Sequence, residues 1–180
     1  TCQLLHTAVD RLHELTALVR THDIGACLPS VTLEDELQNI RRGAGQWLAV
    51  PRFAEALSLV QELWPRFVLP LVFSNGDYNP LNFLYQEQSL TGWIDFEHAC
   101  FEDPYIGFAK FFLWAHDESG WGAGVKFGLV ERYLYNHNIE PAAFLLRLIL
   151  RGLWHIKDSD LDKPPAYMLQ VVENAVARLK

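Results

Sequence analysis

No apolar run in this chain approaches the length needed to span a membrane, and no signal peptide opens it; the expectation is a cytoplasmic protein with no membrane partner. Positive charge is in short supply: 15 Lys and Arg face 22 Asp and Glu, for a formal net charge of −7. That balance argues against nucleic-acid binding, which favours basic surfaces, and suits a cationic small molecule. Cysteine is scarce too. Cys2, Cys27 and Cys100 are widely spaced, with no Cys-x-x-Cys pair, and read as reduced thiols. His98, His116 and His155 lack metal-site spacing with nearby Cys or acids. A phosphate-cradling glycine loop is also missing: Gly120-Trp121-Gly122-Ala123-Gly124 has the glycines but neither the Gly-x-Gly-x-x-Gly spacing nor a preceding predicted strand. No linker, repeat or low-complexity segment divides the 180 residues, half of which are hydrophobic. One domain over residues 1–180 is the simplest reading, with enough apolar chain for a substantial core.

What is present is concentrated in Val72-Phe73-Ser74-Asn75-Gly76-Asp77-Tyr78-Asn79-Pro80-Leu81-Asn82-Phe83-Leu84 and Gly92-Trp93-Ile94-Asp95-Phe96-Glu97. An apolar run enters a Gly-Asp pair; four residues separate Asp77 from Asn82; a second apolar run delivers Asp95, with Glu97 two places on. Val72-Phe73 reads as a buried β-like segment, and Gly76 permits the backbone angles of a turn that lifts Asp77 into a cleft. Pro80 stiffens the loop. Phe83-Leu84-Tyr85 and Leu90-Thr91-Gly92-Trp93-Ile94, flanking Gln86-Glu87-Gln88-Ser89, predict a β-hairpin that returns Asp95 beside Asn82. If the extended conformation persists, Asp95 and Glu97 face the same way. Three oxygen-bearing side chains in this order suit metal-dependent phosphoryl transfer: one carboxylate orients and deprotonates a hydroxyl, while an amide oxygen and a second carboxylate hold Mg²⁺. The competing local reading is a turn-capping network, since Asp and Asn are common in turns. A two-carboxylate glycosidase using Asp95 is the weaker enzyme alternative, because its acids should flank a sugar-sized cleft.

These two motifs in order resemble the catalytic core of the aminoglycoside phosphotransferase and choline kinase group, whose fold is similar to that of protein kinases. Its usual pattern is His-Gly-Asp, four residues, Asn, and later Ile-Asp-Phe/Trp-Glu; the match runs over roughly residues 72–110. The resemblance implies Asp77 as catalytic base, Asn82 and Asp95 as metal ligands, Glu97 as a supporting acid, and Mg²⁺ with ATP as cofactor and phosphate donor. Asp103-Pro104-Tyr105 resembles the Asp-Pro that commonly follows. Two departures stand out. The family's His is Asn75 here, which can organise the loop but cannot become an imidazolium, and the family's Asp-Leu-Ala is Gly107-Phe108-Ala109, which removes a carboxylate that supports the catalytic loop. A complete kinase of this group also carries an N-terminal β-rich lobe with a nucleotide-contacting Lys, and nothing before residue 72 resembles it. The expectation is therefore an isolated C-terminal lobe: mainly α with a small β-hairpin, inactive alone, and partnered by the missing N-terminal lobe of the same protein.

Apolar periodicity predicts helices over residues 2–21, from Thr32 to the Gly43-Ala44-Gly45 interruption, over 51–64, after Pro104, and over 125–137, 141–157 and 165–179, with residues 22–32 as a connection. Trp114 and Trp121, with Tyr133, Tyr135 and Trp154, could form an aromatic box for an alkylammonium acceptor; the helical spacing favours core instead. The implied activity is transfer of the ATP γ-phosphate to a hydroxyl of a small molecule, with an aminoglycoside, a choline-like or other amino alcohol, a sugar and homoserine all open as the acceptor. The alternative is a non-catalytic kinase-like nucleotide- or ligand-binding module.

Overall fold

The computed structural model describes residues 2–78, 80–87, 89–113, 123–163 and 165–180. Trp114 and Trp121 lie outside the described residues. The described chain is mostly helical, with two small antiparallel sheets.

The first stretch forms α1 (Cys2–Glu14) and α2 (Thr16–Thr21), where one continuous helix was expected. The break at Leu15 has a side-chain cause. The Thr16 hydroxyl donates to the His13 carbonyl at 2.6 Å and accepts the Phe73 amide at 2.8 Å, so it is recruited to a distant strand. Part of the predicted connection is helical as well: α3 (Asp23–Cys27) begins where the His22 side chain accepts the Ile24 amide. Next comes α4 (Leu33–Ala44), and here Thr32 and Asp35 satisfy each other's backbone amides in a capping box. It ends at Gly45, whose φ of 45° favours glycine. A 3-10 turn (Gly45–Ala49) leads into α5 (Pro51–Leu63), which starts on its proline because that position needs no amide donor.

Strand β1 (Val72–Ser74) pairs antiparallel with β4 (Cys100–Glu102), in the register Val72↔Glu102, Phe73↔Phe101, Ser74↔Cys100. Between them, β2 (Phe83–Gln86) and β3 (Ser89–Trp93) make the expected hairpin. Helices α6 (Ile106–Leu113), α7 (Ala123–Asn136), α8 (Pro141–Ile156) and α9 (Ala166–Leu179) complete the described chain. Among the described residues no helix is long and apolar enough to cross a membrane.

Helix α8 is the hub. Twelve of its sixteen residues are buried, so it is covered on nearly every side. It packs against α4, α5, α6 and α9, and Leu146, Ile149, Leu150 and Leu153 lie at the centre of the core. Two arginines share this helix. Arg147, fully buried, donates through Nε to Asp103 Oδ1 at 3.0 Å and through Nη2 to the Phe67 carbonyl at 2.8 Å, with its guanidinium 4.1 Å from the Trp64 ring. Arg151 pairs with Glu36 of α4 at 2.8 Å. Asp103 is thus a structural anchor: it holds α8 and also accepts the Tyr105 amide at 3.0 Å, which shapes the entry to α6. Removing one partner of such a pair strands the other charge in the interior. Arg147→Met is expected to lower the unfolding free energy by roughly 3–5 kcal/mol, read as a lower urea midpoint at unchanged m value.

Candidate functional site

The β1–β4 ladder ends at Ser74↔Cys100, and the chain then turns through Asn75, Gly76 and Asp77. Gly76 has φ 83°, and a Cβ there would lie 2.4 Å from the His98 carbonyl oxygen, so this turn admits only glycine. Two amides grip the residue it presents. Asn75, completely buried, donates through Nδ2 to the Asp77 carbonyl at 2.9 Å. Asn82 donates through Nδ2 to the same carbonyl at 3.3 Å and to the Asp77 carboxylate at 3.1 Å. The loop therefore returns Asn82 to Asp77, as the spacing predicts. Asn75 Oδ1 is buried with no hydrogen-bond partner among the described residues.

The hairpin brings the second motif alongside. Phe83 pairs with Trp93, and the ladder continues one step further where the Ile94 amide donates to the Asn82 carbonyl at 2.9 Å. Asp95 is the next residue. Its extended conformation does not persist: β3 ends at Trp93, and Asp95 turns into the left-handed region with φ 62°. Asp tolerates that region better than most residues. Asp95 and Glu97 therefore do not share a strand face. Both nonetheless line one groove of about 860 Å³, together with Gly76 and Asp77. The groove is also lined by Asp35 and Glu36 of α4 and by Arg151, Trp154 and His155 of α8. Glu97 is exposed, with its carboxylate 3.5 Å from the His98 imidazole.

Among the described residues no cluster of three His, Cys, Asp or Glu side chains is arranged to hold a metal ion. The two motif oxygens are the Asp95 carboxylate, which lines the groove, and the Asn82 amide, which is buried against Asp77. With Asn82 Nδ2 committed to Asp77, Oδ1 is what the amide can offer a cation. An amide and a carboxylate fit Mg²⁺, which keeps several waters and takes its remaining ligands from phosphate oxygens.

Beneath the turn lie groups that the motifs did not reveal. Tyr78, fully buried, shares a 2.7 Å hydrogen bond with His13 Nε2 of α1, and its ring packs edge-on against Phe108. A Cβ on Gly107 would sit 2.4–2.7 Å from the Tyr78 ring. The tyrosine thus occupies the space that an acid at 107 would need, which accounts for that departure from the family pattern. Nothing in the residue order shows this, because the two positions meet only in the fold. The aromatic residues scatter. Tyr133 is buried in the core, with its ring 4.1 Å from Phe108 and its hydroxyl donating to Asp10 at 2.9 Å. Tyr135 is exposed, and the Trp154 ring already carries the Arg151 guanidinium at 4.5 Å and the Lys157 ammonium at 4.8 Å. Tyr133, Tyr135 and Trp154 do not converge into a box.

Comparison with known protein families gave a match to the phosphotransferase enzyme family over residues 1–143, a span that includes Asn75, Asp77, Asn82, Asp95 and Glu97. Comparison with curated proteins and with solved structures gave no match.

Two expected outcomes follow from the packing below the groove. Gly107→Ala is expected to cost about 1–3 kcal/mol through collision with the Tyr78 ring, and to cost less than half as much when introduced into Tyr78→Leu, each step read by urea denaturation. Burial pushes His13 down to about 4 from its ordinary 6.5, so the native state resists a proton that the unfolded chain accepts. Stability contributed by neutral His13 is complete above about pH 6.5 and lost as pH falls from there towards 4, at about 1.4 kcal/mol per pH unit. His155, also lowered to about 4 by burial, adds to the same slope. Denaturation across this window should show a shallower pH dependence in His13→Gln, by about one proton.

Proposed function

The chain belongs to the phosphotransferase enzyme family, and from that premise we propose that it is the catalytic, C-terminal lobe of a small-molecule kinase that moves the γ-phosphate of ATP to a hydroxyl group. The observation that carries this reading is the grip on Asp77: its carboxylate lines the groove while Asn82 holds both that carboxylate and the Asp77 carbonyl.

In this reading Asp77 accepts a hydrogen bond from the acceptor hydroxyl and takes its proton as the oxygen attacks phosphorus. Asn75 and Asn82 hold the Asp77 carbonyl, so the carboxylate does not have to be ordered at the moment of reaction. Asn82 and Asp95 hold Mg²⁺, which when bound neutralises charge on the phosphate oxygens. Glu97, exposed at the groove, supports Asp95 or contacts the acceptor. The acceptor is a small and cationic molecule: Asp35, Asp77, Asp95 and Glu97 line the groove, while the Lys and Arg that line it among the described residues, Lys110 and Arg151, are each paired with an acid. Aminoglycosides, amino alcohols and amino sugars all meet that description. The nucleotide's other contacts come from an N-terminal lobe of the same protein, and the reaction takes place in the cytoplasm.

The test is Mg²⁺-dependent ATP consumption by the full-length protein over a panel of such acceptors, beside Asp77→Asn. The amide keeps an acceptor oxygen for Asn82 but removes the base. Turnover is expected to fall about 10²–10⁴-fold, with thermal stability nearly unchanged. Nucleotide binding without turnover on any acceptor would replace this reading by a non-catalytic binding module, and equal loss of folding and activity in Asp77→Asn would remove Asp77 from the chemistry.

A further inference from the structure

The turn that presents Asp77 is bonded at two successive peptide units by a chain of side chains that starts at Ser74 and runs through β4 and α6. The Gly76 amide donates to Ser74 Oγ at 2.9 Å, and the Ser74 hydroxyl in turn donates to Glu102 Oε1 at 2.6 Å. The other carboxylate oxygen, Oε2, accepts Lys110 Nζ at 3.2 Å, and the same ammonium donates to the Gly76 carbonyl at 2.9 Å. The ring of contacts closes on Gly76: its amide and its carbonyl are the two ends of a chain running through Ser74, Glu102 and Lys110. The Gly76 carbonyl belongs to the peptide unit whose nitrogen is that of Asp77. Fixing that oxygen therefore fixes the plane from which the Asp77 side chain projects.

Three features separate this from ordinary core filling. Ser74 and Glu102 are buried, so an unbonded carboxylate there would be costly. Lys110 is 21% exposed and lines the same groove as Asp77, so its ammonium stands at the boundary between the network and the site. Each member also comes from a different element, with Ser74 on β1, Glu102 on β4 and Lys110 on α6, and all three converge on a single turn.

We propose that Glu102 and Lys110 are positioning residues for Asp77, acting through the Gly76 carbonyl. The proposal depends on the phosphotransferase reading only for its effect on turnover. Its effect on the turn itself is independent of any activity.

The experiment pairs hydrogen exchange with kinetics on the full-length protein. Lys110→Met leaves Glu102 buried without its cation and can fail to fold. The double variant Lys110→Met/Glu102→Gln removes both charges together and keeps an oxygen for the Ser74 hydroxyl, so it is the deciding chain. Amide exchange in residues 74–78 is expected to rise about tenfold or more in the double variant, with the remainder of the protein protected as before. The kcat for Mg-ATP with the best acceptor is expected to fall about 10–100-fold, well beyond any change in either KM, since removing Lys110 and Glu102 together leaves the net charge of the groove unchanged and misplaces the base. Lys110→Arg, which keeps a donor for both oxygens, is expected to recover part of that loss. A folded double variant with unchanged exchange, or with looser exchange but unchanged kcat, overturns the proposal. A wild-type protein inactive on every acceptor overturns the phosphotransferase reading instead, and the exchange comparison then decides by itself whether the pair holds the turn.

Discussion

Three paired residues on each side, β1 against β4, set the geometry of the groove. Side chains alternate along a strand, so a slip of one residue would exchange the faces of Ser74 and Glu102 and break their hydrogen bond. The same slip would carry Gly76 away from the close passage against His98 that makes it a glycine. So short a ladder cannot hold its own register. It is anchored from outside: the Phe101 amide donates to the Pro29 carbonyl, the Val31 amide donates to the Phe101 carbonyl, and Thr16 takes the Phe73 amide. The connection before α4 and the break between α1 and α2 are thus parts of the sheet's support, which is why neither is a plain loop or a plain helix.

The core distributes its charges in a related way. Arg147 and Arg151 lie one turn apart on α8, and each reaches a carboxylate on a different part of the chain, Asp103 before α6 and Glu36 on α4. An apolar helix can rotate or slide within an apolar core at modest cost, whereas one whose two guanidiniums must each meet a buried acid has far fewer acceptable placements. The Arg151–Glu36 pair lines the groove, and Trp154 and His155 of the same helix line it too. The placement of α8 therefore sets both the packing of the interior and the shape of the space opposite Asp77.

Local signals were legible in the residue order. Thr32 with Asp35, Pro51 and Pro141 mark helix starts correctly, and the polar segment between two β-rich runs marks the hairpin. The approach of Asn82 to Asp77 was readable because the spacing is short and a proline stiffens the loop between them. What escaped was non-local or without period. Strand β4 is three residues long and buried throughout, so it has no alternation to read. Asp103 could be recognised as part of a pattern, but its partner Arg147 lies 44 residues away on a helix whose other side chains are mostly apolar. The left-handed turn at Asp95 escaped because the same residues could equally continue a strand.

The contact between Tyr78 and Gly107 has a consequence for how this sequence can drift. Each position sets the range of the other: no side chain enters at 107 while the phenol is in place, and a smaller residue at 78 leaves a hole that glycine cannot fill. His13 adds a third party, because its imidazole loses its hydroxyl partner when the phenol goes. A lineage moving between this arrangement and one with an acid at 107 must therefore pass through a cavity or a collision. The order of replacements is constrained, with the tyrosine leaving before the acid arrives, and single-residue comparisons between relatives at either position will mislead unless both are read as one unit.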